Sequence, residues 1–361
     1  MKTFEVVTKR SKRKSLLKAV LLSVTGSLII LSSGYWILNK ITSDNAWEIQ
    51  RFHELKNAIS YPNIESINWS FIPTSSFTGV YRSDQVKDLA GISLPFEDYE
   101  SYYGLRSGLY KGSQADNIYG SEDGTAQYTH GSSFKVPVFF NTKFNYSQDG
   151  SLLPTQDIQL LSQKSNQAVE VAVTFDKSYN FEEIEALIPD KLKINWYWIG
   201  TESQYDTKEL PLDAQIGFSP VKNQIESYEE AQKNRQALAE EAKKELSDEE
   251  IQQKQEKIKE EVAALTAQEN FSNNFSFFQV NLQTALDKGW AGYTVNNGEF
   301  DLETDIKTYL AANKDGQSAK FAGVILTGRT EDFAGLEGAD WIFGSNIGQT
   351  LELQPYHHLN P

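Results

Sequence analysis

Cysteine is absent from the 361 residues. That excludes disulfides, thiolate metal sites, a Cys nucleophile and a lipid-modified N-terminal Cys. Histidine is scarce. His53, His130, His357 and His358 are scattered, and the last two stand in the C-terminal tail, which leaves few ways to build a His-rich metal centre. Positive charge is short as well, with 34 Lys and Arg against 49 Asp and Glu and a net charge of −15. Direct nucleic-acid binding needs a basic footprint, so this balance argues against it. No glycine-rich phosphate cradle follows a strand and opens a helix, and no cofactor is expected. What remains is a globular composition, 39% hydrophobic and 23% charged, in a chain long enough for two domains.

The few positive charges are unevenly placed. Residues 1–18 carry seven basic side chains and one acid, a charge of +6, which leaves −21 for the rest. Directly after them, Ala19–Leu38 reads AVLLSVTGSLIILSSGYWIL, 20 residues without a charge. A helix of that length is about 30 Å long, the thickness of the hydrocarbon layer. Tyr35 and Trp36 stand near its far end, where amphipathic aromatics favour the interface. Positive-inside bias then puts 1–18 in the cytoplasm and the bulk outside, with the bilayer as the first partner. Ser32-Ser33-Gly34 could imitate a cleavage site, but the run is longer than a usual signal core and ends in Tyr-Trp-Ile-Leu.

Beyond the span, Ser43–Ile59 has apolar Phe52, Leu55 and Ile59 at helical spacing, an Asn45/Glu48 capping pair and a stop at Tyr61-Pro62-Asn63. It reads as a stalk. The membrane-proximal region 40–150 is expected to be β-rich, with strands at Ser66–Phe71, Phe77–Arg82 and Phe134–Phe140 and a long loop over Gly112–Gly131. Its many tyrosines are either core or an exposed surface for wall carbohydrate or peptide.

Residues 151–361 hold two similar units. Val169–Phe175 is a strand, Asp176-Lys177-Ser178 a turn, Asn180 with Glu183 a helix cap, and Ile194–Ile199 the next strand. Phe321–Thr327, a turn at Gly328-Arg329, a short helix capped by Thr330 and a strand from Trp341 repeat that order. The expected fold class is α+β: one transmembrane helix, a β-rich proximal region and a mixed sheet built from two βαβ-like units. A polar helical hairpin is expected to protrude at 226–268, and a helix at Leu302–Ala312. No Ser, His or carboxylate grouping rises above chance, so no enzyme and no catalytic, cofactor-binding or metal residue is assigned.

The run VEVAVTFDKSY from Val169, followed by FEEIEALIP from Phe181 and INWYW from Ile194, resembles the C-terminal domain of sigma factor regulators of Gram-positive bacteria. Gly217-Phe218-Ser219-Pro220 and AGVILTGRTED from Ala322 suit the same pattern. The basic start, the span and Tyr61–Ile64 resemble the matching N-terminal domain. The resemblance implies a membrane-anchored regulator that holds an extracytoplasmic-function sigma factor. The contact would fall to Lys9, Arg10, Lys12, Arg13 and Lys14. Eighteen residues reach only about 27 Å as a helix, enough for a peptide-sized contact. Either that short segment binds, or a second membrane protein intervenes, or this member has lost the sigma role. The rival reading is a surface module binding wall carbohydrate or peptide.

Overall fold

The computed structural model describes residues 2–106, 118–123, 125–129, 133–147, 153–220, 271–295 and 298–360, with side chains from residue 9. The expected hairpin at 226–268 and the turn residues Asn296 and Asn297 lie outside them. The fold is α+β.

Helix α1 runs from Lys2 to Ile59 without a break, so the expected span and stalk are one element. Between Leu38 and Asp44 there is neither Gly nor Pro. Once a helix is nucleated, each further residue is added at little cost. Asn45 is therefore no N-cap; its Nδ2 donates to the Gly104 carbonyl at 2.7 Å. The end is well marked. Ser60 N–H donates to Lys56 O at 2.8 Å, and Tyr61 and Asn63 around Pro62 take φ of 62° and 53°, which no helix can continue.

Strands β1 (Ile64–Ser75), β2 (Thr78–Leu89) and β3 (Ile92–Tyr103) form a three-stranded sheet in that order. Two-residue turns join them. At the second, Ala90 and Gly91 take φ of 51° and 93°, the paired positive values that a type I′ hairpin needs. Strand β2 outruns its expected end at Arg82. Its inward face is Tyr81, Ser83, Gln85, Lys87 and Leu89, all buried, and the polar members hide the alternation from a hydrophobic count. Strand β3 was hidden by Pro95. Within the stretch expected as a loop, β4 (Tyr119–Gly120) and β5 (Gln127–Thr129) pair with each other, and β5 pairs with β6 (Phe134–Val136).

A short helix α2 (Ile158–Leu161) precedes the main sheet, which is built from β7 (Gln167–Asn180), β8 (Lys193–Trp198), β9 (Gly217–Phe218), β12 (Lys320–Arg329) and β13 (Ile342–Glu352). Helix α3 (Phe181–Leu187) follows β7; α4 (residues 271–287), the small β10 (Thr294–Val295) and β11 (Phe300–Asp301) pair, and α5 (Leu302–Ala312) precede β12. Sheet order is β13-β7-β12-β8-β9. All its neighbouring strands are antiparallel rather than mixed. The two strands of each βαβ unit straddle one strand of the other: β12 lies between β7 and β8, and β7 between β12 and β13. These are interlocked split βαβ units, the ferredoxin-like arrangement. The expected turn at Asp176–Ser178 is strand, because Tyr179 and Asn180 still pair with Phe321 and Lys320. Likewise β12 continues through Arg329, which holds the N-cap position of the 3₁₀ helix Thr330–Leu336 in place of Thr330. The Asn180/Glu183 capping box forms as expected.

Residues alternate between faces of β7. Val169, Val171, Val173 and Phe175 join the large core with α3, α4 and α5. There Tyr197, Phe218, Phe271, Phe275, Phe278 and Phe321 pack ring against ring, with Phe218–Phe278 centroids 5.0 Å apart. Ala172, on the other face, packs with Phe139, Trp196, Trp198 and Ile325. Burial raises the pKa of the Tyr197 and Tyr309 hydroxyls well above 10. A raised acid keeps its proton in the fold, so the stability it contributes is intact below pH 10 and is lost as pH climbs through the folded value. Absorbance at 295 nm is expected to show these phenols ionising only together with loss of ellipticity, in one cooperative alkaline step.

Contacts divide the chain into two units. Met1–Arg51, Ser70–Arg82 and Glu100–Gly112 form one; Phe52–Trp69, Ser83–Tyr99 and Ser113–Pro361 form the other.

Candidate functional site

Within the larger unit the most unusual chemistry is a fully buried ion pair. Glu170 lies on β7, on the Ala172 face, and is 0% exposed; Lys87 on β2 is also 0% exposed. Lys87 Nζ stands 2.7 Å from Glu170 Oε2. Asn63 Nδ2 donates to Glu170 Oε1 at 2.7 Å, and Gln349 N–H donates to Oε2 at 3.0 Å. Burial pushes the Lys87 ammonium below the usual lysine value, and the adjacent carboxylate offsets only part of that shift.

Backbone irregularities build this site. On β13, Ile347 pairs with Val171 and Thr350 with Val169. Gly348 and Gln349 thus oppose Glu170 alone, a bulge that frees the Gln349 N–H for the carboxylate. On β8, Trp196 pairs with Ile325 and Ile194 with Leu326, leaving Asn195 as the extra residue of a second bulge. Asn195 Nδ2 donates to Asn63 Oδ1 and to Asp88 O, both at 2.8 Å. Its Oδ1 accepts from Thr327 Oγ1 at 2.8 Å, and Thr327 Oγ1 accepts from the Ala90 N–H at 2.9 Å. Lys193 Nζ pairs with Asp88 Oδ2 at 2.7 Å. A small cleft beside the network is lined by Tyr61, Asn63, Asp88, Lys193, Asn195 and Trp196 among others. The donors and acceptors of the network bond one another. That arrangement fixes a β-hairpin onto a sheet. A Cβ on Gly348 would overlap Glu170 Oε2. Gly348→Ala is therefore expected to cost about 1–3 kcal/mol of stability, read as a lowered urea midpoint.

The residues singled out in the sequence lie elsewhere. Lys9, Arg10, Lys12, Arg13 and Lys14 are all exposed on α1, spread over roughly half its circumference at about 100° per residue. After them, Leu21, Leu22, Leu28, Ile29, Ile30 and Leu31 are each more than half exposed. The helix is long and apolar enough to cross a membrane, and none of its most apolar window is buried. Among the described residues no cluster of three or more His, Asp or Glu could hold a metal ion. The tyrosines read as either core or a carbohydrate- or peptide-binding surface are divided: Tyr99 and Tyr103 are buried, Tyr99 stacking on His53 at 4.0 Å, Tyr128 is half-buried, and Tyr102 and Tyr119 are exposed. Tyr110 lies outside the described residues.

Residues 161–349, just over half of the chain, match the family described as sigma factor regulator C-terminal. The chain belongs to this family. The matched region holds Glu170, Asn195 and Gln349, whereas Lys87 and Asn63 precede it, so the buried pair ties the β2–β3 hairpin to the regulator domain. No curated protein and no solved structure gave a match. Sequence reasoning missed the pair because 49 acids and 34 bases allow any pairing. The available signal was Glu170, the one charge in the run from Ala168 to Phe175.

Proposed function

We propose that this sigma factor regulator is a single-pass membrane protein of envelope signalling. Its N-terminus is cytoplasmic and its bulk, comprising 40–150 and the regulator domain 151–361, is extracytoplasmic. Lys9, Arg10, Lys12, Arg13 and Lys14 contact an acidic surface of an extracytoplasmic-function sigma factor and hold it at the membrane. The protein acts by binding and release, without catalysis. The carrying observation is the uncovered apolar helix, 0% buried over its span window, in a chain of the sigma regulator family. Such a surface has no stable place in water, whereas lipid covers it fully. The basic cluster at its start supports the orientation. Its helical form in α1 supports the contact, because a preformed helix avoids the ordering entropy of a disordered tail.

Co-purification tests the reading. Full-length chain and a variant lacking residues 1–14 are extracted from membranes in detergent, and the associated proteins are identified by mass spectrometry. A sigma factor present with the full chain and absent from the variant is the expected result. A sigma factor absent from both would reject the proposal.

A further inference from the structure

The smaller unit exposes a second surface, beside the apolar helix. The β1–β2 hairpin runs alongside α1. Near its middle Phe71 meets Trp47, ring centroids 5.3 Å apart. At its tip the Phe77 ring packs on Tyr35 at 5.4 Å, and Thr42 Oγ1 donates to the Phe77 carbonyl at 3.3 Å. Tyr35 and Trp36 close the apolar run of α1, so the tip reaches the level where that run ends. From Ser66 to Tyr81 there is no charged residue, in a chain of which 23% is charged. Ile72 is 44% exposed, and Pro73, Thr74, Ser75, Ser76 and Thr78 are exposed around it. Trp36, on the adjacent stretch of helix, is 66% exposed. A charge-free patch of aromatic, aliphatic and hydroxyl groups beside the end of a hydrocarbon-length helix matches the headgroup zone of a bilayer.

We propose that residues 71–78 form a membrane foot: the hairpin tip inserts at headgroup depth and, with Tyr35 and Trp36, fixes the depth and rotation of α1. This rests on the reading of α1 as a membrane span. The occupant is lipid because the tip carries no charge of its own and packs on Tyr35, which stands at the end of the apolar run of α1. A helix with a single contact at the interface can slide and rotate; a helix clamped to a lipid-seated hairpin cannot.

The lack of cysteine supplies the test. Single-cysteine variants of the full chain, Ile72→Cys, Ser76→Cys, Ile30→Cys and Tyr356→Cys, are labelled with an environment-sensitive fluorophore and reconstituted into protein-pure vesicles. The vesicles carry a nitroxide on the lipid headgroup or deep in the acyl chain. Labels at 72 and 76 are expected to be quenched by the headgroup nitroxide at least about twofold more than the label at 356, and the label at 30 mainly by the deep nitroxide. Quenching at 30 with none above the 356 level at 72 and 76 would overturn the foot and leave the span standing; a hairpin that docks a protein instead would give this result. No quenching at 30 would overturn both.

Discussion

Lys87→Met is expected to destabilise the larger unit by about 3–5 kcal/mol, because it leaves the Glu170 carboxylate buried without its counter-charge. Among the described residues the Asn63 amide and the Gln349 N–H would remain on that carboxylate, and two neutral donors do not replace a cation at 2.7 Å. The double variant Lys87→Met/Glu170→Leu separates two roles of the pair. With both charges gone, the desolvation of two ions disappears too, and stability is expected to return to within about 1–2 kcal/mol of the native chain or to exceed it. Urea unfolding of the four chains of this cycle measures it. A Lys87→Met midpoint equal to that of the native protein would show that the pair contributes nothing. If the double variant is as unstable as the single one, packing of the lysine stem, not charge, holds the hairpin.

That outcome bears on function, because the pair joins two pieces that hydrophobic packing alone would not register. Strand β2 buries Ser83, Gln85 and Lys87 on one face; Ser83 meets Ser66, Gln85 meets His53, and Lys87 meets Glu170 of β7. A slip of β2 by one residue would turn Lys87 outward and bury Val86 or Asp88 against a carboxylate. Buried polar groups are weak evidence of stability and better evidence of register. The two bulges serve the same end. Gln349 and Asn195 reach their partners only because one strand holds one residue more than its neighbour.

These features also mark where the sequence was legible. The elements with clean apolar periodicity were read closely: the Asn180 cap, β8, β12 and the helix at Leu302–Ala312. Their burial follows from pattern alone. The failures share a cause. Strand β2 buries polar groups, β3 contains Pro95, and α4 opens with Phe271-Ser272-Asn273-Asn274, poor helix formers held in place by Phe271, Phe275 and Phe278 packing in the core. Tertiary contact overrode local preference at each of them. The interlocking of the βαβ units was invisible for a different reason. Strand order depends on which unit closes over which, and both orders use the same local sequence.

Neutralising the basic cluster carries the largest expected functional effect. Converting Lys9, Arg10, Lys12, Arg13 and Lys14 to Gln lowers the charge of residues 1–18 from +6 to +1. All five side chains are exposed, so each contact with an acidic surface contributes only about 0.2–1 kcal/mol. Five together come to about 3 kcal/mol, or about a hundredfold in affinity. In cells the same change weakens the topogenic bias, and a chain inserted backwards would also fail to hold a sigma factor. Binding must therefore be measured in detergent solution with the sigma factor recovered by co-purification, where orientation has no meaning. The affinity of the native chain is expected to fall steeply with salt, and that of the neutralised chain to be weak and nearly independent of salt. Equal affinities and equal salt slopes would remove the cluster from the contact. The basic residues would then serve insertion and anionic lipid alone, and release of the sigma factor would have to run through a second protein.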